Sequence, residues 1–330
     1  MKNYFLLLGA CVLLGSCSTE DAAMTALING SSSQALLYLN CRAVSQNEVE
    51  FEFSRQVTVK RISFEPELSI ASVENGSVVR VRLEEGTLPG IMLTADLLAE
   101  DEKRNSINVL VSFRSKNDRM PRLVINELCT EYSNPKAEFI ELKMKSAGNL
   151  GAMRIYIAGN SNASKQTIYE FSPVEVKASD YVVLHLRTLD PSSRDEYGGV
   201  SESGGADASP TARDFWISGS SKLLHKTAAV YVLDQDDRVI DAVMISEAAD
   251  SWWTKDYFAE AAGFLFEQGA WKSREGGICG PADSVSSAGT TNTRTICRDE
   301  TAENTHTAAD WYITATSNAT PGRENSQKRL

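Results

Sequence analysis

The sequence predicts a mainly β fold made of two antiparallel β-sandwich domains, the second of which carries a short inserted helix. Apolar and polar residues alternate along residues 49–53, 79–83 and 107–113, a pattern typical of half-buried antiparallel strands. Further apolar runs of strand length recur beyond residue 122, and Asn75-Gly76 is one of the turn signals between strands. Apolar residues at helical spacing along residues 255–268 predict the helix, and Gly269 is placed to end it.

Length and charge limit the class of protein. The chain has 330 residues, of which 42% are hydrophobic, which is enough for about two domains that each bury a core. Its formal net charge is -11, from 44 acidic and 33 basic residues. Such a balance lacks the positive surface that neutralises phosphates, so we expect no nucleic-acid partner and no attraction to acidic phospholipids.

The first residues have the pattern of an export signal. Lys2 is followed by an apolar run at residues 4–14, which is too short to span a bilayer. The motif Leu14-Gly15-Ser16-Cys17 resembles the bacterial lipobox, in which the cysteine thiol receives a diacylglyceryl group and the preceding bond is cleaved. We therefore expect Cys17 to be the lipidated mature N-terminus, and Ser18 after it favours the outer membrane. An ordinary signal peptide cleaved near Ser18 is the alternative.

The composition divides the chain into segments. We expect a lipoprotein signal peptide at residues 1–16, a tether at 17–34, a first sandwich at 35–118, a second at 119–325 and a tail at 326–330. A polar stretch at residues 115–121 ends in proline and marks the domain boundary. Residues 196–221 are rich in Gly, Ser, Ala and Asp and predict an exposed loop between strands.

The first domain resembles the bacterial Ig-like domains of surface proteins. The resemblance rests on Phe53-Ser54, the Val-rich residues 78–83, Leu88-Pro89-Gly90 and residues 101–105. It implies a spacer or binding module without catalytic residues.

The second domain resembles the lamin tail domain, an Ig-like β-sandwich of nuclear lamins and of many bacterial surface and secreted proteins. Its motifs occur in the family's order as Val124-Ile125-Asn126-Glu127, Glu138-Phe139-Ile140-Glu141-Leu142, the hairpin at residues 232–241, Asp310-Trp311 and Thr320-Pro321-Gly322-Arg323-Glu324-Asn325. The resemblance implies an interaction module. The loop at 196–221 and the helix depart from the family pattern, and a function of this chain's own would lie there.

Several polar residues resemble parts of a catalytic or metal site, but structural roles fit them better. We expect Asn126, Glu127, Glu138 and Glu141 to hydrogen-bond across strands, and His185 to be a satisfied strand histidine. Residues 234–237 resemble the start of a calcium loop but lack its later glycine and glutamate, so a hairpin turn is expected. We predict no catalytic residues, no metal site and no cofactor.

The cysteines and tryptophans leave alternatives open. Cys279 and Cys297 flank a Gly/Ser/Thr-rich loop and are the best candidates for a disulfide, although two free, partly buried thiols are an equal alternative. Trp311 is expected in the core. One of the adjacent Trp252 and Trp253 is expected to point away from it if both lie on a strand.

Together these observations predict an envelope-anchored lipoprotein that acts as a non-catalytic binding or scaffolding module. Its expected partners are the membrane, through the lipid on Cys17, and a protein or glycan ligand of unknown identity. The membrane face to which it is exposed stays open. An envelope hydrolase, or an accessory subunit of one, is the alternative, and it would require His185 or His225 to reach a serine and a carboxylate in a pocket.

Overall fold

The computed structural model describes residues 35–158 and 167–330. These residues form several multi-stranded, largely antiparallel sheets and one α-helix, which confirms the predicted mainly β fold class. The predicted signal peptide at residues 1–16, the lipidation site Cys17 and the tether at 17–34 lie outside the described residues.

The N-terminal unit, residues 35–114, is a six-stranded sheet that folds back on itself. The 18-residue strand β2 pairs with β1 and β4 through its first half and with β5 through its second half, so both halves of the sheet enclose one apolar core. The strands are β1 (Tyr38–Ser45), β2 (Glu48–Glu65), β3 (Ile70–Glu74), β4 (Gly76–Leu83), β5 (Met92–Asp101) and β6 (Ser106–Arg114).

Alternation along β2 determines which side chains enter this core. Phe51 and Phe53 are buried, and the ring of Phe51 lies edge-on to Phe113 of β6 at 6.3 Å between centroids. Glu50, directly before Phe51, points to the other face and pairs with Arg42 at 2.8 Å and Arg80 at 2.9 Å. Apolar contacts on one face and ion pairs on the other therefore fix the same strand neighbours.

The C-terminal unit, residues 123–330, contains thirteen strands in its described residues. They are β7 (Leu123–Cys129), β8 (Phe139–Met144), β9 (Gly148–Asn149), β10 (Arg154–Ala158), β11 (Thr167–Glu170), β12 (Glu175–Val176), β13 (Tyr181–His185), β14 (Arg213–Trp216), β15 (Ala228–Leu233), β16 (Val239–Ser246), β17 (Val285–Ser286), β18 (Ile296–Arg298) and β19 (Trp311–Ile313).

Two large sheets form a sandwich in this unit. One has the strand order β14-β13-β8-β7-β18-β19 and the other β11-β10-β15-β16-β17, while β9 and β12 form a small separate pair. Ile125 and Leu142 of the first sheet and Val232 and Val243 of the second belong to one core cluster, and all four are fully buried. Every residue of β7 is buried, so the strand is covered on both faces.

The predicted helix is confirmed as α1 (Asp256–Glu267). Its buried residues Phe258, Ala261, Ala262 and Leu265 form one stripe, and the last three belong to the sandwich core. Gly269 follows with φ of 68°, a conformation that suits glycine at a helix end.

The expectation of an exposed loop at residues 196–221 holds for residues 197–202, which are exposed and lie outside strands, but not for the whole segment. This segment contains β14, which pairs in parallel with β13, and Glu196 and Asp214 within it are fully buried. The Glu196 carboxylate accepts hydrogen bonds from the backbone N–H groups of Ser203 (2.9 Å) and Asp214 (2.8 Å). One buried carboxylate thus folds a Gly- and Ser-rich segment onto the sheet edge.

The junction between the two units is closely packed. Asn117 is buried, and its side-chain Nδ2 donates to the carbonyl oxygens of Asn149 (2.8 Å) and Gly151 (2.9 Å), while its backbone N–H donates to Gln235 (2.7 Å). Gly90 of the N-terminal unit lies so close to Gly151 that a Cβ on Gly90 would come within 2.4 Å of the Gly151 backbone.

Ion pairs surround this contact. Arg114 lies 2.5 Å from Glu170, and Lys116 lies 3.1 Å from Asp236. The polar stretch that links the two units is therefore bound to the C-terminal unit along much of its length. Among residues 35–158 and 167–330, no helix is long and apolar enough to cross a membrane.

We expect Gly151→Ala to destabilise the protein by about 1–3 kcal/mol, because the new Cβ would lie 2.1 Å from the carbonyl oxygen of Pro89 and force the units apart. Thermal unfolding measures the change. The control is Gly263→Ala in α1, where a Cβ meets no atom within 4 Å and should be neutral or slightly stabilising. Equal melting temperatures for wild type and Gly151→Ala would contradict the close packing of the junction.

Candidate functional site

Glu127 and Glu141 lie opposite each other on the central strands β7 and β8, and both are fully buried. Glu127 accepts hydrogen bonds from the Thr295 hydroxyl (2.5 Å) and from the Thr320 backbone N–H (3.1 Å). Glu141 accepts from the Gly322 backbone N–H at 2.6 Å. The two carboxylates therefore hold the C-terminal residues 320–322 against the outer face of the strand pair.

Asn126 joins this group to a third carboxylate. Its Nδ2 donates to Glu141 (2.8 Å) and to Glu300 (2.9 Å), and Glu300 also pairs with Lys143. Asn325 donates through Nδ2 to the carbonyl oxygen of Asn126 at 3.0 Å. The sequence motifs around residues 126, 141 and 325 thus meet in one buried network, which we call the carboxylate network.

Burial raises the pKa of Glu127, and burial together with the nearby charge of Glu127 raises the pKa of Glu141 well above its ordinary value of 4.5. Both groups bind protons more readily in the folded chain than in the unfolded chain. Within the described ranges, no group of three or more acidic, histidine or cysteine side chains could hold a metal ion. Cross-strand hydrogen bonding, as expected for Asn126, Glu127 and Glu141, is what these contacts provide.

Arg298 is a central residue that sequence reasoning missed. Its guanidinium donates to Asp241 (2.6 Å) and to the carbonyl oxygen of Ile125 (2.8 Å), and it lies 4.5 Å above the ring of Trp311. These bonds tie β18 to β16 and β7, one strand from each large sheet. The available signal was an arginine directly after the apolar pair Ile296-Cys297, together with the expected core residue Trp311.

Glu138 forms a second buried ion pair. Arg187 donates to its two carboxylate oxygens at 2.5 Å and 2.6 Å, and the guanidinium lies 3.9 Å above the exposed ring of Tyr132. This bidentate geometry joins the start of β8 to the end of β13. Glu138 thereby serves to fix two strand ends.

His185 lies at the edge of the six-stranded sheet, almost fully buried between two aspartates. Its Nε2 is 2.9 Å from Asp214, its Nδ1 is 3.5 Å from Asp207, and its ring stacks on Trp216 at 3.8 Å. Burial lowers the pKa of His185, but the hydrogen bonds and charges of the two aspartates outweigh it and raise the pKa above 6.5. The contacts hold the residue 207–216 segment against β13.

The expected disulfide is not formed, because Cys279 and Cys297 are both free thiols. Cys279 lies in the loop after α1, where the Trp271 indole donates to its sulfur at 3.2 Å. Cys297 is buried within β18, 3.7 Å from the Thr295 hydroxyl. Each thiol is enclosed by its own neighbours, so the structure agrees with the alternative of two buried thiols.

The adjacent tryptophans differ as expected, although they lie in a loop and not in a strand. Trp253 is half-buried and donates from its indole to the carbonyl oxygen of Cys279 at 2.8 Å, whereas the Trp252 side chain is 74% exposed. Residues 234–237 form the expected hairpin turn, in which the Asp234 carboxylate accepts from the backbone N–H groups of Asp236 and Arg238.

An open basin of about 630 Å³ lies beside the inserted helix, and we call it the loop-end basin. Four separate segments line it: the β7–β8 loop, the residues before β15, the residues after β16 and the first turn of α1. The exposed His225 lies in it, together with carboxylates from two other loops. Its lining residues are Glu131, Lys222, His225, Lys226, Thr227, Glu247, Thr254, Lys255, Tyr257 and Phe258.

We expect Glu141→Gln to weaken the pH dependence of stability. Because the folded-state pKa of Glu141 is raised, its protonated form favours folding below about pH 4.5, and this contribution is lost as the pH rises through the folded-state value. Urea unfolding between pH 4.5 and 8 measures the slope, with the exposed Glu52→Gln as control. An unchanged slope in Glu141→Gln would contradict the raised pKa.

We expect His185→Phe to keep the ring stack on Trp216 but to cost about 3 kcal/mol near pH 6, since the buried Asp214 and the partly buried Asp207 lose their charged partner. The raised pKa means that the histidine's contribution is fully present below pH 6.5 and is lost as the pH rises through the folded-state value. The difference from wild type should therefore shrink toward pH 9 in urea unfolding. His225→Gln, at an exposed position, is the control. A stability difference between wild type and His185→Phe that does not change with pH would contradict the raised pKa of His185.

Comparison with known proteins relates this chain to a protein family and to a bacterial relative. The family model "TP_1001_2nd: protein second domain" matches residues 121–313. A protein of Treponema pallidum (strain Nichols), named "Uncharacterized protein", is 30% identical over 183 residues, which are 53% of this chain and 46% of that protein. The chain thus spans about half the length of the curated relative that it matches.

Among solved structures, the N-terminal part of the bacterial S-layer protein SbsC is 14% identical, with a TM-score of 0.26 over 44% of this chain and 40% of that one. A score this low carries no argument about fold or function. The family model, by contrast, covers more than half of the chain and includes β7 to β19. The chain therefore belongs to the TP_1001 second-domain family.

Proposed function

We propose that this protein is an envelope lipoprotein, anchored in the outer membrane through Cys17, that acts as a non-catalytic binding or scaffolding module. The observation that carries the proposal is the closely packed junction, in which Asn117 and the contact of Gly90 with Gly151 join the two units. A fixed junction suits a module that presents a surface at a set distance from its anchor, because little conformational freedom is lost on binding.

The environment of the acidic and histidine side chains supports a role without catalysis. A general base must come within hydrogen-bond distance of its substrate. Glu127 and Glu141 are fully buried and accept hydrogen bonds from Asn126 and from residues 295–322. His185 lies between two aspartates and a tryptophan. Each of these groups has a structural partner instead of an open face.

One observation favours the alternative of an envelope hydrolase or an accessory subunit of one. His225 is exposed in the loop-end basin, and Glu131 and Glu247 from two other loops line the same basin. In this alternative His225 would act as a base. A test with chromogenic ester, phosphate and glycoside substrates would separate the two, since any turnover that is lost in His225→Ala would overturn the non-catalytic proposal.

The anchor is tested by Cys17→Ala. We expect the wild-type protein to partition with membranes, and mass spectrometry should detect a diacylglyceryl group on Cys17. Cys17→Ala should be released from membranes, because it lacks the thiol that carries the lipid. Cys41→Ala is the matched control and should stay membrane-bound. Release of the wild-type protein into the medium would refute the anchor.

Protease accessibility on intact and permeabilised cells then identifies the membrane face. Digestion on intact cells would indicate a surface module, and protection until permeabilisation would indicate a periplasmic one. Either result is compatible with a scaffold, so the experiment decides where ligands are to be sought.

A further inference from the structure

The loop-end basin combines two ion pairs with one further lysine, Lys255. Lys222 pairs with Glu131 at 2.9 Å, and Lys226 pairs with Glu247 at 3.4 Å. Lys255 forms no ion pair within residues 35–158 and 167–330. Three lysines against two glutamates leave one positive charge in excess, in a chain whose net charge is -11.

The two ion pairs leave hydrogen-bonding capacity on both partners. A lysine ammonium has three donors and a carboxylate has about four acceptor sites, so one bond in each pair uses only part of either group. Lys222, Glu131 and Lys226 are half-buried, which restricts their side chains. Donors and acceptors therefore both line the basin, and three of the four paired side chains are restricted before any ligand arrives.

An aromatic wall completes the basin. Phe258 is buried, and the half-exposed ring of Tyr257 lies 4.6 Å from it between centroids. An aromatic ring at the side of a polar basin offers a flat apolar surface to a ligand that also needs many hydrogen bonds.

From this arrangement we infer that the loop-end basin binds a carboxylated saccharide. Sugar rings present hydroxyl groups to alternating donors and acceptors and an apolar C–H face to an aromatic ring, and a carboxylate would neutralise the excess charge of Lys255. An acidic peptide would meet the charge, but acidic motifs are recognised by clusters of arginines, and the residues that line this basin include lysines and no arginine. The inference rests on the proposed binding function and specifies its ligand class.

Calorimetric titration of the detergent-solubilised full chain tests this inference. The probe is an unsulfated hyaluronan hexasaccharide, which carries glucuronate carboxylates, and the neutral comparator is chitohexaose. We expect the hyaluronan probe to bind the wild type. Lys255→Gln should weaken hyaluronan binding by about tenfold through loss of a charge-assisted bond. Chitohexaose should bind the wild type as weakly as hyaluronan binds Lys255→Gln. Tyr257→Leu should weaken both sugars.

Lys177→Gln is the matched control, because Lys177 is an exposed lysine outside the basin, and it should bind like the wild type. Circular dichroism of each variant confirms its fold. No binding of hyaluronan, equal binding of both sugars, or an unchanged affinity in both Lys255→Gln and Tyr257→Leu would overturn the inference. These outcomes leave the proposed function standing, because the anchor and turnover tests decide it separately.

Discussion

The C-terminal unit depends on two carboxylates that lie side by side in the middle of a sheet. Burying Glu127 and Glu141 without partners would cost several kcal/mol. Thr295 and Asn126 supply part of the donors, and residues 320–322, at the far end of the chain, supply a further donor to each carboxylate. This C-terminal segment also covers the outer face of β7 and β8, so its docking stabilises the strand pair in the centre.

Buried charged side chains with fixed partners also occur at two other places in the C-terminal unit: at the ends of β8 and β13, and between the two large sheets. Glu138 with Arg187 and Asp241 with Arg298 are ion pairs with both side chains almost fully buried. The apolar faces of β-strands rich in Val, Ile and Leu allow several registers of similar energy, whereas a buried charge has a single position in which its partner can reach it. We infer that the apolar core supplies most of the stability and that these polar contacts select one register.

Local patterns in the sequence predicted local structure well. Alternation predicted the strand around Phe51, an apolar run predicted the strand around Ile125, and helical spacing with Gly269 predicted α1, because each pattern depends on neighbours within a few residues. The parallel pairing of β14 and the role of Arg298 could not be predicted, because their partners lie up to 173 residues away. The Gly/Ser-rich residues 196–221 have the composition of a loop, which does not indicate that the buried carboxylate of Glu196 binds the backbone of Asp214 in β14. Motifs did indicate residues 126, 141 and 325, but not that they meet.

The position of the loop-end basin follows from the same contacts. Glu131 comes two residues after β7, Glu247 directly follows β16, and Thr227 directly precedes β15. Loop residues this close to strand ends inherit the rigidity of the strands, and the strands are fixed by the carboxylate network and by Arg298. None of the residues that line the basin belongs to that network, so its side chains can change without loss of a buried ion pair. A fold organised in this way separates the residues that select the structure from those that meet a ligand, and under the proposed function the second set is free to vary between relatives.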